Sequence, residues 1–146
     1  MNIKNFGSAT EDMIRRFEEY IGFSLPEDYR QFLQNYNGRT SKVRFSTFYV
    51  EELKEHIPLD VMYGLDVEHP FNLKKWYEEY KEDLLPNTLV IGDDPGSGKI
   101  VLIADSEFKG VYYWDHTFNF AQSNEEENTY EISESFKSFI DGLNNP

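Results

Sequence analysis

The feature that most limits how this chain can fold is a change of hydrophobic period at Pro86. Upstream, apolar residues recur every three or four positions: Met13, Ile14, Phe17 and Ile21; Tyr29, Phe32, Leu33 and Tyr36; and Leu73, Trp76, Tyr77 and Tyr80. That spacing lines one face of a helix. Downstream come short β-rich runs at 88–91, 100–104 and 111–114, separated by turn-rich stretches at 92–98 and 105–110. The strands cluster and do not alternate with long helices, which favours an antiparallel meander over a parallel doubly wound sheet. The expected class is α+β, an antiparallel sheet with its meander in the C-terminal half, flanked by about four main helices.

Local signals fix the element ends. Ser8-Ala9-Thr10-Glu11 has capping-box spacing, so Ser8 is expected to cap the first helix, which Gly22 ends. Pro26 suits the first turn of the second helix, with Glu27 and Asp28 at the positive end of its dipole and Asn37-Gly38 after it. Segment 43–49 reads as a strand, 51–56 as a short helical turn, and the stretch to Pro70 as a loop punctuated by Pro58, Gly64 and Pro70. A further strand is expected at 118–121. The last helix is capped by Ser133 and carries Phe136, Phe139, Ile140 and Leu143 on one face. With no internal repeat and no interior linker, residues 1–146 read as one domain.

Charge narrows the partners. The 146 residues include 27 Asp or Glu and 14 Lys or Arg, a formal charge of −13. Twelve Phe, 10 Tyr and 2 Trp argue for a folded chain, because disordered acidic chains lack such residues. Duplex binding relies on clustered cations to neutralise phosphate, so direct nucleic-acid binding is not expected, and a basic protein is the better electrostatic partner. Cysteine is absent, which excludes disulfides, thiolate metal clusters and a cysteine nucleophile. No apolar run reaches membrane-spanning length and the N-terminus lacks a secretory-signal core, so a cytoplasmic location without membrane contact is expected.

Candidate chemical motifs fail on their own requirements. Gly92-Asp93-Asp94-Pro95-Gly96-Ser97-Gly98-Lys99 resembles a phosphate-binding loop, but its spacing has one residue too many. Ile100 also stands where Mg²⁺ needs a hydroxyl, and a strand follows where the motif needs a helix N-terminus. The stretch reads instead as a glycine-rich strand connection with positive φ at Gly96 and Gly98. Asp93, Asp94 and Asp105 lack calcium-loop spacing, and His56, His69 and His116 lack zinc-site spacing. Ser97 has no nucleophile elbow around it. No catalytic residue, metal or cofactor is expected. Lys109-Gly110-Val111-Tyr112-Tyr113-Trp114 partly matches an RNA-stacking strand, but without a basic field these rings read as core; an outward Tyr112 and Trp114 would instead mark a protein interface.

The order of segments also carries a resemblance. An amphipathic helix leads to Gly22-Phe23-Ser24-Leu25-Pro26-Glu27-Asp28-Tyr29, then Phe32-Leu33 and Tyr36-Asn37-Gly38. Later come Ile91-Gly92-Asp93 with its glycine loop, and Gly110-Val111-Tyr112-Tyr113-Trp114-Asp115-His116. Over residues 8–143 this resembles the SUKH superfamily in its Smi/Knr-type branch. The resemblance implies a sheet flanked by helices and no catalytic motif. It also implies either an immunity protein that neutralises a toxin, often a nuclease, or a regulatory interaction module such as the fungal members linked to cell-wall synthesis. Combined with the charge, it leads to the expectation of a cognate basic toxin occluded by contact, with Asp93, Asp94, Asp105, Glu125, Glu126 and Glu127 as partner-binding candidates.

Overall fold

The computed structural model describes residues 3–41, 46–96, 98–115 and 129–144. Its main sheet has seven strands, all pairs antiparallel: β1 (Ile3–Asn5), β2 (Arg39–Ser41), β5 (Val61–Met62), β6 (Thr88–Asp93), β7 (Lys99–Ile103), β8 (Gly110–Trp114) and β9 (Thr129–Ser133), in that spatial order. A separate hairpin joins β3 (Ser46–Val50) to β4 (Glu55–Leu59). The helices are α1 (Glu11–Ile21), α2 (Glu27–Asn35), α3 (Leu73–Tyr80) and α4 (Phe136–Asp141), with a 3-10 turn at Lys81–Asp83. The α+β class and the C-terminal meander agree with the sequence reading.

Because strand side chains alternate between faces, register assigns each residue to a layer. Val61, Asp93, Lys99, Trp114 and Thr129 stand in one row, and Val101 and Tyr112 share their face. This face receives α3, through Trp76 stacked on Tyr63 at 5.4 Å and Tyr80 edge-on to Trp114 at 5.3 Å. Ile100, Leu102, Val111 and Tyr113 face the other way. There Phe48 of the hairpin meets Tyr113 and Phe139, while Phe136 of α4 packs edge-on to Tyr29 and Phe32 of α2.

Several ends differ from expectation, each for a visible reason. Thr10, not Ser8, caps α1, its side chain accepting from the Met13 N–H at 3.1 Å. Glu11 reaches across to α2 instead, where Arg30 and Gln34 donate to it. Arg30 also donates to Glu18, so one guanidinium clamps the two helices. Pro26 sits one place outside α2. Ser135 caps α4, because Ser133 closes β9. The expected turn and loop over 51–70 contain β4 and β5; 51–54 turns, and 63–70 is irregular as expected, with no named strand. Ile57 and Leu59 are buried while His56 and Pro58 point away from the core, and Pro58 is tolerated because β4 has a single strand neighbour. Neither Gly96 nor Gly98 has positive φ. Gly98 is required for space: a Cβ there would lie 2.2 Å from the Tyr113 hydroxyl. The expected strand at 118–121, and residues 43–45 of the one at 43–49, lie outside the described residues.

The Asn37-Gly38 stop does more than end α2. Asn37 is buried at φ +47, and its side-chain amide donates to the Leu65 carbonyl at 2.9 Å while its oxygen accepts from the Leu65 N–H at 2.8 Å. Asn37→Ala removes both partners from a buried backbone amide, so a loss of about 1–3 kcal/mol is expected in urea unfolding. An unchanged midpoint would show that this tie contributes nothing.

Candidate interaction site

The connection between β6 and β7 is held by its own carboxylates. Asp94 Oδ1 accepts from the Gly98 N–H at 3.1 Å, and its Oδ2 accepts from the Tyr113 hydroxyl at 2.6 Å. Burial, reinforced by this bond and the nearby negative charge, pushes the Tyr113 hydroxyl above its ordinary pKa. Asp93 Oδ2 accepts from the Tyr63 hydroxyl at 2.6 Å and faces Lys99 Nζ at 3.7 Å, whereas Oδ1 is buried without a hydrogen-bond partner.

Lys99 is the unusual member of this group. It is only 6% exposed, its ammonium lies 3.7 Å from the Trp76 ring centroid, and it donates to the Tyr63 hydroxyl at 3.3 Å. Trp76 in turn stacks with Tyr63 and with Tyr80. Burial lowers the Lys99 pKa and Asp93 pulls it back up; burial likewise raises Asp93, with Tyr63 and Lys99 opposing it. Each partner thus lessens the desolvation cost of the other, and a desolvated cation on an indole adds about 2 kcal/mol. Asp60, which the sequence reading did not single out, adds a third carboxylate at this end of the sheet, its pKa raised by burial and by Asp94.

The remaining candidates are placed differently. Asp105 is exposed, in the connection between β7 and β8. Glu125, Glu126 and Glu127, like His116, lie outside the described residues. Among the described residues no group of three His, Asp or Glu side chains gathers as a metal site, and no helix is long and apolar enough to cross a membrane.

Beside α3, the face that carries Lys99 continues into an open groove of about 290 Å³. Val101, Ile103, Tyr112 and Trp114 form its floor, and Leu84, Leu85 and Phe108 stand around it. Tyr113 and Trp114 are both buried in the core, as the sequence suggested; Trp114 also presents an edge to this groove, which the half-buried Tyr112 lines beside it. The reading of the sequence missed Leu85 and Phe108. The available signal was an aromatic residue inside the otherwise polar turn Asp105-Ser106-Glu107-Phe108-Lys109.

With the fold and these side chains placed, comparison with known proteins is decisive for kinship. The model of the SMI1 / KNR4 family (SUKH-1) matches residues 8–142. The chain belongs to this family. At the level of whole sequences the chain is similar to the SPbeta prophage-derived uncharacterized protein YokK of Bacillus subtilis (strain 168), 25% identical over 149 residues, covering 92% of this chain and 74% of that protein.

The Asp93–Lys99 pair makes this SUKH-1 domain sensitive to its lysine. Lys99→Met leaves the half-buried Asp93 carboxylate without its counter-charge, and a loss of about 2 kcal/mol is expected at neutral pH. The Asp93 pKa is raised on folding, so the folded chain binds the extra proton. Without Lys99, which lowers it, the Asp93 pKa rises further, so the penalty is full above the variant's Asp93 pKa and shrinks as pH falls from there through the wild-type one. Urea titrations across pH check this, and a gap between wild type and variant that stays constant on acidification would refute the assignment.

Proposed function

We propose that this SUKH-1 protein is an immunity-type binder that neutralises a cognate basic toxin, of nuclease type, by covering it. The observation that carries the reading is family membership joined to a net charge of −13. A nuclease cleft is built to hold phosphate and is therefore cationic, so an acidic domain is steered onto it and excludes substrate without chemistry of its own. On this reading the protein is not an enzyme, needs no cofactor, and works in the cytoplasm where a nuclease would act. The description of the relative as prophage-derived fits a role in conflict between genomes.

Asp105, being exposed, and Glu125, Glu126 and Glu127 are the proposed steering contacts. Asp93 and Asp94 spend oxygens on Tyr63, Lys99, Tyr113 and Gly98, so their contribution is to hold the adjoining surface in shape.

The test is co-expression with the product of the adjacent reading frame, followed by association kinetics at rising salt. Growth rescue is expected, with association slowed roughly tenfold by salt while dissociation changes little. Reversing Asp105, Glu125, Glu126 and Glu127 to lysine should slow association likewise without unfolding the chain. A salt-independent rate would defeat the steering argument. Specific binding to an endogenous client, with no rescue, would favour the regulatory role instead.

A further inference from the structure

We infer that the groove over β7 and β8 receives an apolar side chain of a partner polypeptide, presented between lysine or arginine residues. This rests on the reading of the protein as a binder of a basic partner, and adds where and how the partner is held.

Five large hydrophobic side chains are exposed among the described residues: Tyr20, Tyr36, Tyr49, Leu85 and Phe108. Three are tyrosines, whose hydroxyls water can serve. Leu85 and Phe108, 49% and 57% exposed, have no polar side-chain atom, and both border the same cavity. Scattered single exposures are ordinary, but two converging on one apolar hollow mark a contact surface. The cavity of about 290 Å³ lies at the small end of ligand sites, which run about 300–1,000 Å³, so it suits a side-chain anchor better than a large cofactor.

The groove offers little for a polar ligand. Of its four polar side chains, the Tyr112 hydroxyl donates to the Phe108 carbonyl at 2.7 Å, Thr88 donates to the Pro86 carbonyl at 3.2 Å, Thr129 is likewise engaged, and the exposed Asp83 carboxylate stands at the edge, where it adds to the negative rim. Recognition inside is therefore by shape and apolar contact. Charge selects around it: the 3-10 turn, the 105–109 connection and β9 carry Glu82, Asp83, Asp105, Glu107 and Glu131 against Lys81 and Lys109, all exposed. Five carboxylates against two ammonium groups disfavour an anionic segment, and they disfavour a second copy of this chain, which would bring the same carboxylates. A hydrophobic residue flanked by cations satisfies both the floor and the rim.

A random peptide library displayed on phage, selected on the wild-type protein, tests this without knowledge of the natural partner. Enrichment of an aromatic or aliphatic residue beside Lys or Arg is expected. A synthetic peptide carrying the enriched sequence should shift methyl resonances of Val101 and Ile103. The double variant Leu85→Glu, Phe108→Glu alters exposed residues only, and its fold is checked by circular dichroism. It should bind the peptide at least tenfold more weakly, a loss of about 1.4 kcal/mol or more. Glu131→Lys should weaken binding and reduce its salt dependence.

Failure to enrich any peptide, enrichment of acidic sequences, or unaltered affinity in the double variant would overturn the inference. So would methyl cross-peaks showing the groove of the free protein already occupied by residues 116–128 or by a second copy. Measuring the adjacent-frame toxin on the same variants separates the two ideas. A toxin that binds wild type and double variant equally leaves the immunity reading intact and removes the groove. A toxin that does not bind wild type at all, while the peptide does, removes the immunity reading and leaves the groove.

Discussion

A lysine and a carboxylate brought out of water together, Lys99 and Asp93, fix the position of α3 on the sheet. Neither is accommodated alone: an ammonium only 6% exposed needs negative charge and donor-free faces around it, and an aspartate at its side needs donors. The fold supplies Tyr63 from the residue after β5, Trp76 from α3 and Asp93 from β6, all converging on one row of the sheet. A helix held only by apolar contact could slide along this face. One held by an indole over a buried cation has a single favourable position, and so do the residues that continue from it.

The groove inherits that placement. Tyr80, one helical turn beyond Trp76, stacks on it nearly parallel and meets Trp114 edge-on, so the floor of the groove is braced by the same aromatic series that covers Lys99. Leu84 and Leu85 follow from α3 through the 3-10 turn, and their position on the rim depends on where α3 ends. On the other side of the sheet, Tyr113 bonds to Asp94 and packs on Phe48, fixing β8 from below. Three consecutive aromatics thus divide between the two faces of the sheet by the alternation of a strand.

That division explains what could be read from the chain. The four helices and the strands at 88–91, 100–104 and 111–114 were legible because their apolar residues recur with a definite period and are bounded by Gly, Pro and Asn. The strands at 55–62 were not: β5 is two residues long, and β4 contains a proline that only its edge position makes acceptable. Caps were misplaced by two residues where Ser8 and Thr10, or Ser133 and Ser135, are chemically equivalent candidates and tertiary contacts choose between them. At the site, the sequence drew attention to Asp93, Asp94 and Lys99 as a failed phosphate loop. It offered no sign that Lys99 would pair with residues 36 and 23 positions upstream, Tyr63 and Trp76, since such pairing is a property of sheet register and helix docking.

The two populations of carboxylates therefore act on different steps of the proposed association. Exposed acids such as Asp105, Glu107 and Glu131 act over a Debye length of about 8 Å at physiological salt, where they raise encounter rates but are worth little once contact is made. Residence time must come from surface that excludes water, and only the apolar groove offers this among the described features of that face. Its usefulness depends on being formed before the partner arrives, because ordering side chains on binding subtracts about 0.5–1.5 kcal/mol for each flexible one. Val101, Ile103 and Trp114 sit on paired strands and Trp114 is pinned by Tyr80, so that cost has already been met in folding. The half-buried acids Asp93 and Asp94 contribute there, at one remove: by holding Lys99, Tyr63 and Tyr113 in place, they keep rigid the platform to which, on the proposed function, the exposed acids would deliver a partner.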